Sequence, residues 1–253
     1  MFDTHCHLTD PNLFSQLTAV LARAAGAGVS RMVTIGTHPT DWQRVIDLVK
    51  DRPAIRCAIG VHPNYCHEVD FGAVSDLRQL QQNPEVVALG EMGLDYHHHF
   101  APKARQTEFF LAQLQIAQEV DRPVVIHCRE AVDDCLAILA GFGKIRAVFH
   151  CFTGTADEAK RIFALGHFIG FTGVVTFKNG QALRDIAAAA PRDQILVETD
   201  APYLTPEPMR KQKINEPAMV MHTAAVVAAA RKVSLEELDA RTSDNARRFY
   251  RWE

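Results

Sequence analysis

Short apolar segments alternate with longer amphipathic segments along the whole chain. The apolar segments are rich in Val and Ile, and several are apolar on both faces, which is typical of parallel strands covered by helices. The amphipathic segments repeat their apolar residues at helical spacing. The pattern predicts eight strands, at Phe2–His7, Arg31–Gly36, Ile55–His62, Val86–Glu91, Pro123–His127, Ile145–His150, Phe168–Gly173 and Ile195–Asp200. It predicts helices at Leu13–Ala27, Asp41–Lys50, Phe71–Gln82, Lys103–Glu119, Glu130–Phe142, Ala156–Leu165, Gln181–Ala190, Glu216–Lys232 and Leu235–Tyr250.

Eight strand-then-helix units at irregular spacings predict an α/β fold, a (β/α)8 TIM barrel, rather than a tandem-repeat solenoid. No linker, low-complexity segment or charge run marks a boundary, so we expect one domain covering residues 1–253. Ser234 and Glu237 predict a capping box at the start of the last helix. An open doubly wound sheet is the structural alternative, and the placement of polar residues argues against it.

Composition limits the environment and the partners of the protein. The chain has 253 residues, of which 47% are hydrophobic, and a formal net charge of −3. A core of substantial size is therefore expected, and any nucleic-acid partner must be held by a local site rather than by a basic field over the whole chain. Six cysteines without a C-x-x-C pair, no apolar segment long enough for a membrane and no leader before the first motif favour a cytoplasmic protein with free thiols. We expect a monomer without membrane contact.

Candidate metal ligands stand at the C-terminal ends of the predicted strands, where the chemistry of a barrel gathers. One histidine at a strand end is more often a hydrogen-bonded structural residue. Seven candidate ligands at the same end of six strands instead predict a ring around one mouth, because buried ionisable groups need partners or metal. The seven are His5, His7, His62, Glu91, His127, His150 and Asp200.

The donor types indicate which metals fit. Imidazole and carboxylate without thiolate suit Zn²⁺, Mn²⁺, Fe²⁺, Co²⁺ or Ni²⁺, whereas an all-oxygen Mg²⁺ site would not use histidines. Because these donors exceed the three or four that one catalytic zinc takes, we predict two divalent cations per chain, with Glu91 placed to bridge them. The sequence leaves their identity open among Zn, Mn, Mg, Ni and Co. The charge left after two carboxylates suits an anionic substrate such as a phosphodiester.

Because successive side chains of a strand point to opposite faces, the candidate ligands and their sequence neighbours lie on different faces. Asp3, His5 and His7 share one face of the first strand, while the cysteines beside the candidate histidines face away from the ligand side. Asp3 and Glu198 are candidates for orienting the imidazoles, and ordinary buried hydrogen bonds are the alternative reading of both.

Taken together, several segments resemble signatures of one known family. They are Asp3-Thr4-His5-Cys6-His7, Gly60-Val61-His62-Pro63, Gly90-Glu91-Met92-Gly93-Leu94-Asp95-Tyr96, Pro123-Val124-Val125-Ile126-His127, His150-Cys151-Phe152-Thr153-Gly154, Phe171-Thr172-Gly173-Val174-Val175-Thr176-Phe177 and Leu196-Val197-Glu198-Thr199-Asp200-Ala201-Pro202-Tyr203-Leu204. Over essentially the whole chain, the sequence resembles the TatD-family metal-dependent deoxyribonucleases, in their YcfH-like branch of the amidohydrolase-like superfamily.

The resemblance implies a barrel hydrolase that cleaves phosphodiester bonds with one or two divalent cations. It implies that His5, His7, Glu91 and Asp200 hold one ion, and that Glu91, His127 and His150 hold the other. It also implies that His62 lies beside the substrate phosphate. The chain departs from the family at Met209–Asn215, which lacks the usual glycine, and at His97-His98-His99. Both departures lie at the predicted mouth, so they bear on substrate preference rather than on the metal site.

Individual roles are predicted from position. We expect Asp200, Glu91 and His62 to be catalytic. Asp200 would bind metal and take a proton from water, or serve as a ligand alone. His62 and Arg129 would donate to phosphate oxygens, with a surface salt bridge as the alternative for Arg129. Arg210, Lys211 and Lys213 form a basic cluster that either contacts a nucleic-acid backbone or is a solvated loop.

Three functions compete at this stage. Hydrolysis of phosphodiester bonds of DNA, or of RNA, by metal-activated water is the leading hypothesis, acting on single-stranded or frayed ends. A two-metal hydrolase of a small ester, lactone or amide is the alternative. A metal-dependent binding protein without turnover would require a missing ligand or base, and none is missing. The absence of a G-x-S-x-G motif, a P-loop and a dinucleotide motif argues against other enzyme classes.

Overall fold

The protein forms eight strands that pair in chain order in one sheet, as described by a computed structural model for residues 1–252. Strand and helix alternate as predicted, and the (β/α)8 fold class is confirmed. The strands are β1 Phe2–Cys6, β2 Arg31–Gly36, β3 Ile55–Ile59, β4 Val86–Asp95, β5 Val124–Arg129, β6 Ala147–Phe149, β7 Phe168–Phe171 and β8 Ile195–Val197. The helices are α1 Pro11–Phe14, α2 Leu17–Gly26, α3 Pro39–Val49, α4 Ala73–Leu80, α5 Lys103–Glu119, α6 Val132–Ala140, α7 Ala156–Ala164, α8 Gln181–Ala189, α9 Val220–Arg231 and α10 Leu235–Tyr250. Short 3-10 helices follow at Pro63–Tyr65, Gly173–Thr176 and Pro217–Met219.

The chain consists of two compact units. The first unit contains residues 1–34 and the chain from residue 151 onward, and the second unit contains Ile35–His150. The prediction that all residues form one domain stays a prediction.

In the first unit, α10 packs against the start of β1. Ser234 caps the helix by accepting the N–H of Glu237 at 3.1 Å, as its sequence predicted. Phe2 packs against Tyr250 and Trp252, with ring centroids 6.1 and 5.3 Å apart. The buried Tyr250 hydroxyl donates to the carbonyl of Thr4 at 3.0 Å. These contacts fix the strand that carries His5.

In the second unit, two buried glutamines of α5 hold the backbone near the ends of β3 and β4. Gln113 accepts the N–H of Val61 at 2.7 Å and donates to its carbonyl at 3.1 Å. Gln106 does the same for Asp95, at 2.8 and 3.0 Å. Because a buried amide must have its hydrogen bonds satisfied, each glutamine fixes the segment that it contacts. The segments fixed in this way carry His62 and Asp95.

Strand ends differ from the predicted ones. β4 continues to Asp95, four residues past the predicted end at Glu91, whereas β8 stops at Val197, three residues before Asp200. The extension brings a second carboxylate onto the face of Glu91, because alternate strand residues point the same way. The predicted helix Leu13–Ala27 is divided into α1 and α2.

Among residues 1–252, no single helix is both long and apolar enough to cross a membrane. Only Pro217–Arg231 and Leu235–Tyr250, taken together and bent by 108° at their break, satisfy the length and composition requirements.

Candidate metal centre

Three predicted ligands of the first unit meet at the ends of β1 and β8. The Nε2 atoms of His5 and His7 face each other at 3.3 Å. The Oδ1 atom of Asp200 lies 3.3 Å from Nε2 of His7 and 3.7 Å from Nε2 of His5. His5 is fully buried, while Asp200 keeps 13% of its side chain exposed. We call His5, His7 and Asp200 the first donor cluster.

Backbone pairing past the strand ends holds this cluster together. The N–H of Asp200 donates to the carbonyl of His5 at 2.9 Å, and the N–H of His7 donates to the carbonyl of Ala201 at 2.7 Å. Asp200 has a φ of +57°, in the left-handed region that aspartate tolerates better than most residues. This turn directs the carboxylate toward the two imidazoles.

Asp3 supports the cluster through Thr199 rather than through an imidazole. Its carboxyl group accepts the N–H of Thr199 at 2.8 Å and the hydroxyl of Thr199 at 2.6 Å. Burial raises the pKa of Asp3 to about 8, although the hydrogen bonds from Thr199 lower it. Asp3 therefore forms ordinary buried hydrogen bonds, which was the alternative interpretation of this residue. Glu198 also bonds to non-imidazole groups, accepting the Thr4 hydroxyl at 3.1 Å and the Cys151 N–H at 2.7 Å.

Glu91 is the centre of a group of histidines in the second unit. Its Oε1 atom lies 2.9 Å from Nδ1 of His127, 3.4 Å from Nε2 of His62 and 3.8 Å from Nε2 of His150. The nitrogens of His62 and His127 are 3.1 Å apart. We call His62, Glu91, His127 and His150 the second donor cluster.

Hydrogen bonds distinguish the two nearest histidines of this cluster. His62 accepts the N–H of Asn64 on Nδ1 at 3.1 Å, so a neutral ring carries its proton on Nε2, toward the cluster. His127 has Nε2 at 2.9 Å from the Asp95 carboxylate and Nδ1 at 2.9 Å from Oε1 of Glu91, so in the neutral ring that a metal would bind, the proton lies on Nε2 and Nδ1 is the ligand atom. His62 can therefore donate to a substrate oxygen, whereas His127 can bind a metal.

Asp95 is the residue that orients His127, and the sequence analysis assigned it no role. Oδ2 of Asp95 contacts both His127 and His98 at 2.9 Å, and Oδ1 accepts the N–H groups of His97 and His98. Burial opposes ionisation, but the hydrogen bonds from these histidines hold the pKa of Asp95 well below its usual value. The available signal was the spacing of Glu91, Gly93 and Asp95, which puts all three on one face of a strand.

The carboxylates on either side of His127 change the pKa of its imidazole. Burial alone would lower the pKa of His127, but hydrogen bonds to Asp95 and Glu91 raise it to about 9. Without a metal, the ring therefore holds an extra proton between two carboxylates. A divalent cation beside Nδ1 would replace that proton.

A glycine permits the close approach of β4 and β5 at this point. Gly93 pairs in register with His127 and has a φ of +138°. A Cβ atom on Gly93 would lie 2.1 Å from the carbonyl oxygen of His127. Any side chain here would therefore displace the strand that carries His127.

Of the predicted substrate residues, His62 belongs to the second donor cluster. Arg129 is the last residue of β5, and its carbonyl accepts the N–H of Tyr96 at 2.9 Å. The guanidinium of Arg210 lies 3.9 Å from the ring centroid of Phe177 and donates to the carbonyl of Thr205 at 3.4 Å. Lys211 is exposed in the same loop. Their contacts with a substrate stay predictions.

Both clusters suit a divalent cation by their donor chemistry. In the first donor cluster, two imidazole nitrogens and a carboxylate oxygen converge within 4.8 Å of one another. In the second, a carboxylate oxygen of Glu91 and ring nitrogens of His62 and His127 lie within 4.8 Å of one another. Nitrogen and oxygen donors without thiolate are typical of hydrolytic metal centres.

Comparison with known proteins shows which proteins are similar in sequence to this chain. Residues 2–251 match the family model described as TatD related DNase. Over 255 residues the chain is 40% identical to YcfH of Escherichia coli (strain K12), a metal-dependent hydrolase, and the match covers 99% of this chain and 95% of YcfH. It is 38% identical over 257 residues to the 3'-5' ssDNA/RNA exonuclease TatD of Erwinia tasmaniensis, covering 99% of each chain.

A solved structure also resembles this one closely. The TatD homologue YjjV from Escherichia coli K12 superposes with a TM-score of 0.94 at 29% sequence identity. The superposition covers 99% of this chain and 98% of YjjV.

Proposed function

Because the chain belongs to the TatD-related DNase family, we propose that it is a divalent-metal-dependent hydrolase that cleaves phosphodiester bonds of single-stranded DNA or RNA. The observation that carries this proposal is the convergence of His5, His7 and Asp200, whose ligand atoms lie 3.3–3.7 Å apart beyond the ends of β1 and β8. Phosphodiesters fit such a site because they bring the negative charge that a cation-binding centre attracts.

In the first donor cluster, His5, His7 and Asp200 would hold a cation. Asp200 also accepts a proton from the attacking water, because its carboxylate is partly exposed and is the only acid of this cluster. The backbone bonds from Asp200 to His5 and from His7 to Ala201 keep these donors in position as the substrate arrives.

In the second donor cluster, Glu91, His127 and His150 hold a cation, and His62 donates from Nε2 to a phosphate oxygen. The N–H of Asn64 on Nδ1 of His62 supports this division, because it leaves the Nε2 proton facing the cluster. Arg129, Arg210 and Lys211 contact the nucleic-acid backbone beyond the cleaved bond.

Each chain binds two divalent cations, one at each donor cluster. A bound cation supplies Lewis acidity and lowers the pKa of a coordinated water. The protein acts as a monomer in the cytoplasm, and its six cysteines, none joined by a disulfide within residues 1–252, support a reducing compartment.

Replacing Asp200 by Asn tests the role of the first donor cluster. The variant keeps the shape of the side chain but cannot accept a proton, so we expect hydrolysis of a labelled single strand to fall by at least about 100-fold. Asp193→Asn, which removes an exposed carboxylate just before β8, is the matched control and should keep full activity. Wild-type rates in Asp200→Asn, with an unchanged circular dichroism spectrum, would remove Asp200 from the mechanism.

The same metal-loaded protein should be assayed on single-stranded DNA, on RNA and on a panel of carboxyl esters and lactones. Turnover of a strand, with little activity on the panel, is the expected result. Turnover of the panel alone would contradict phosphodiester hydrolysis while leaving the metal centre intact.

A further inference from the structure

We propose that Phe100 is the surface on which a nucleobase of the single-stranded substrate stacks, held in position by His98 and Asp95. This role rests on the proposed function and specifies how that substrate is bound. Phe100 lies in the loop after β4 and is 60% exposed, more than any other large hydrophobic residue within 1–252. Contact with a base would remove this exposed apolar ring from water.

One face of the Phe100 ring is already in a stack. The imidazole of His98 lies nearly parallel to it, with an interplanar angle of 16° and ring centroids 5.6 Å apart. A nucleobase on the other face of Phe100 would continue the stack in the offset geometry that aromatic rings prefer. Stacking of this kind accepts any base, because every base has a π face.

The loop that carries Phe100 is fixed before a ligand binds. Asp95 accepts the N–H groups of His97 and His98, at 3.0 and 2.8 Å. The hydroxyl of Tyr96 donates to Asp134 of α6 at 2.5 Å. These bonds fix residues 95–98, so the imidazole on which Phe100 stacks is held in place before a base binds, which favours affinity.

The position of the ring relative to the second donor cluster is also fixed. A single oxygen, Oδ2 of Asp95, contacts His98 and His127 at 2.9 Å each. The imidazole beneath Phe100 is thus two hydrogen bonds from a member of the cluster. Phe100 is therefore connected to the second donor cluster through His98 and Asp95.

A strand without bases tests this role. We expect Phe100→Ala to raise KM for a normal oligonucleotide about 5- to 150-fold, the loss that corresponds to one base–aromatic stack. On an oligonucleotide whose residues are all abasic, the same variant should behave as wild type. Phe100→Leu should show the same selective loss, because leucine keeps an apolar contact without a π face, and Phe100→Trp should restore KM.

Leu165→Ala is the matched control. Leu165 is 55% exposed at the end of α7, before β7, and its removal should leave both substrates unaffected. An equal KM change on intact and abasic strands, or no change on either, would overturn the stacking role while leaving the proposed function standing. A metal-loaded wild type that cleaves neither strand would contradict the proposed function, and the stacking role with it.

Discussion

His62 and His127 have the same side chain, but the neutral rings differ in what they direct toward Glu91. His62 directs an N–H group, whereas His127 directs a nitrogen lone pair. A backbone N–H on one ring and a carboxylate on the other put the proton at different nitrogens. This difference assigns His62 to the substrate and His127 to the metal in the proposed function. It depends on neighbours that are close only in the folded chain.

Replacing Asp95 by Asn should weaken metal binding at the second donor cluster. The amide would present N–H groups toward Nε2 of His127, so the ring would carry its proton on Nδ1 and lose its lone pair for the metal. We expect metal affinity to fall about 10- to 100-fold, as for other partners of ligating histidines. Calorimetric titration with Mn²⁺ measures the change.

Asp134→Asn is the control for this prediction, since Asp134 bonds to the Tyr96 hydroxyl rather than to a histidine of the cluster. Equal Mn²⁺ affinity in the Asp95 variant and the control would show that Asp95 does not orient the ligand.

His167, which belongs to neither donor cluster, makes the stability of the fold depend on pH. Burial lowers the pKa of His167 below its ordinary value of 6.5, so the folded chain resists a proton that the unfolded chain accepts. The stabilisation is therefore present above pH 6.5 and is lost as the pH falls from 6.5 through the folded pKa. Between about pH 7.5 and 5, the Tm of wild type should fall more than that of His167→Gln.

The exposed His67 provides the comparison, because His67→Gln should keep the wild-type pH dependence. Parallel Tm curves for wild type and His167→Gln would rule out His167 as a source of acid sensitivity.

At the scale of single elements, the start of α7 combines two reciprocal hydrogen bonds. Oγ1 of Thr155 accepts the N–H of Glu158 at 3.3 Å, and the Glu158 carboxylate accepts the N–H of Thr155 at 2.6 Å. The sequence analysis predicted this helix but did not identify its cap. Such a capping box satisfies N–H groups that the first turn leaves without partners.

Thr155→Ala should lower the free energy of unfolding by about 1 kcal/mol. For a chain of this size, Tm should fall by about 2–4 °C. Thr155→Ser retains the oxygen and should remain close to wild type. If alanine and serine gave the same Tm, the cap would not contribute to stability.

For the whole molecule, the first donor cluster joins His5 and Asp200, which lie 195 positions apart in a chain of 253 residues. His5 and Asp200 meet only when β1 and β8 lie side by side, so a cation at this cluster binds the folded chain in preference to the unfolded one. Metal binding and stability are consequently linked.

Metal loading should raise Tm, and chelation should reverse the rise. At a free metal concentration 100 times Kd, linkage predicts about 2.7 kcal/mol of added stability per site. Thermal melts across a Mn²⁺ series, with and without a chelator, measure it. A Tm that does not depend on metal concentration would contradict metal binding by the donor clusters of the folded protein.

The sequence by itself determined the order of strands and helices and the positions of the candidate donors. Periodicity and strand-end residues depend on local backbone geometry, so the sequence alone predicts His5, Glu91, His127 and Asp200 as candidate ligands. Only the tertiary structure decided that β4 runs on to Asp95, which imidazole nitrogen carries each proton, and that Phe100 stacks on His98. Those features depend on distances between side chains and backbone groups brought together by folding, and a sequence read along its length contains no such distances.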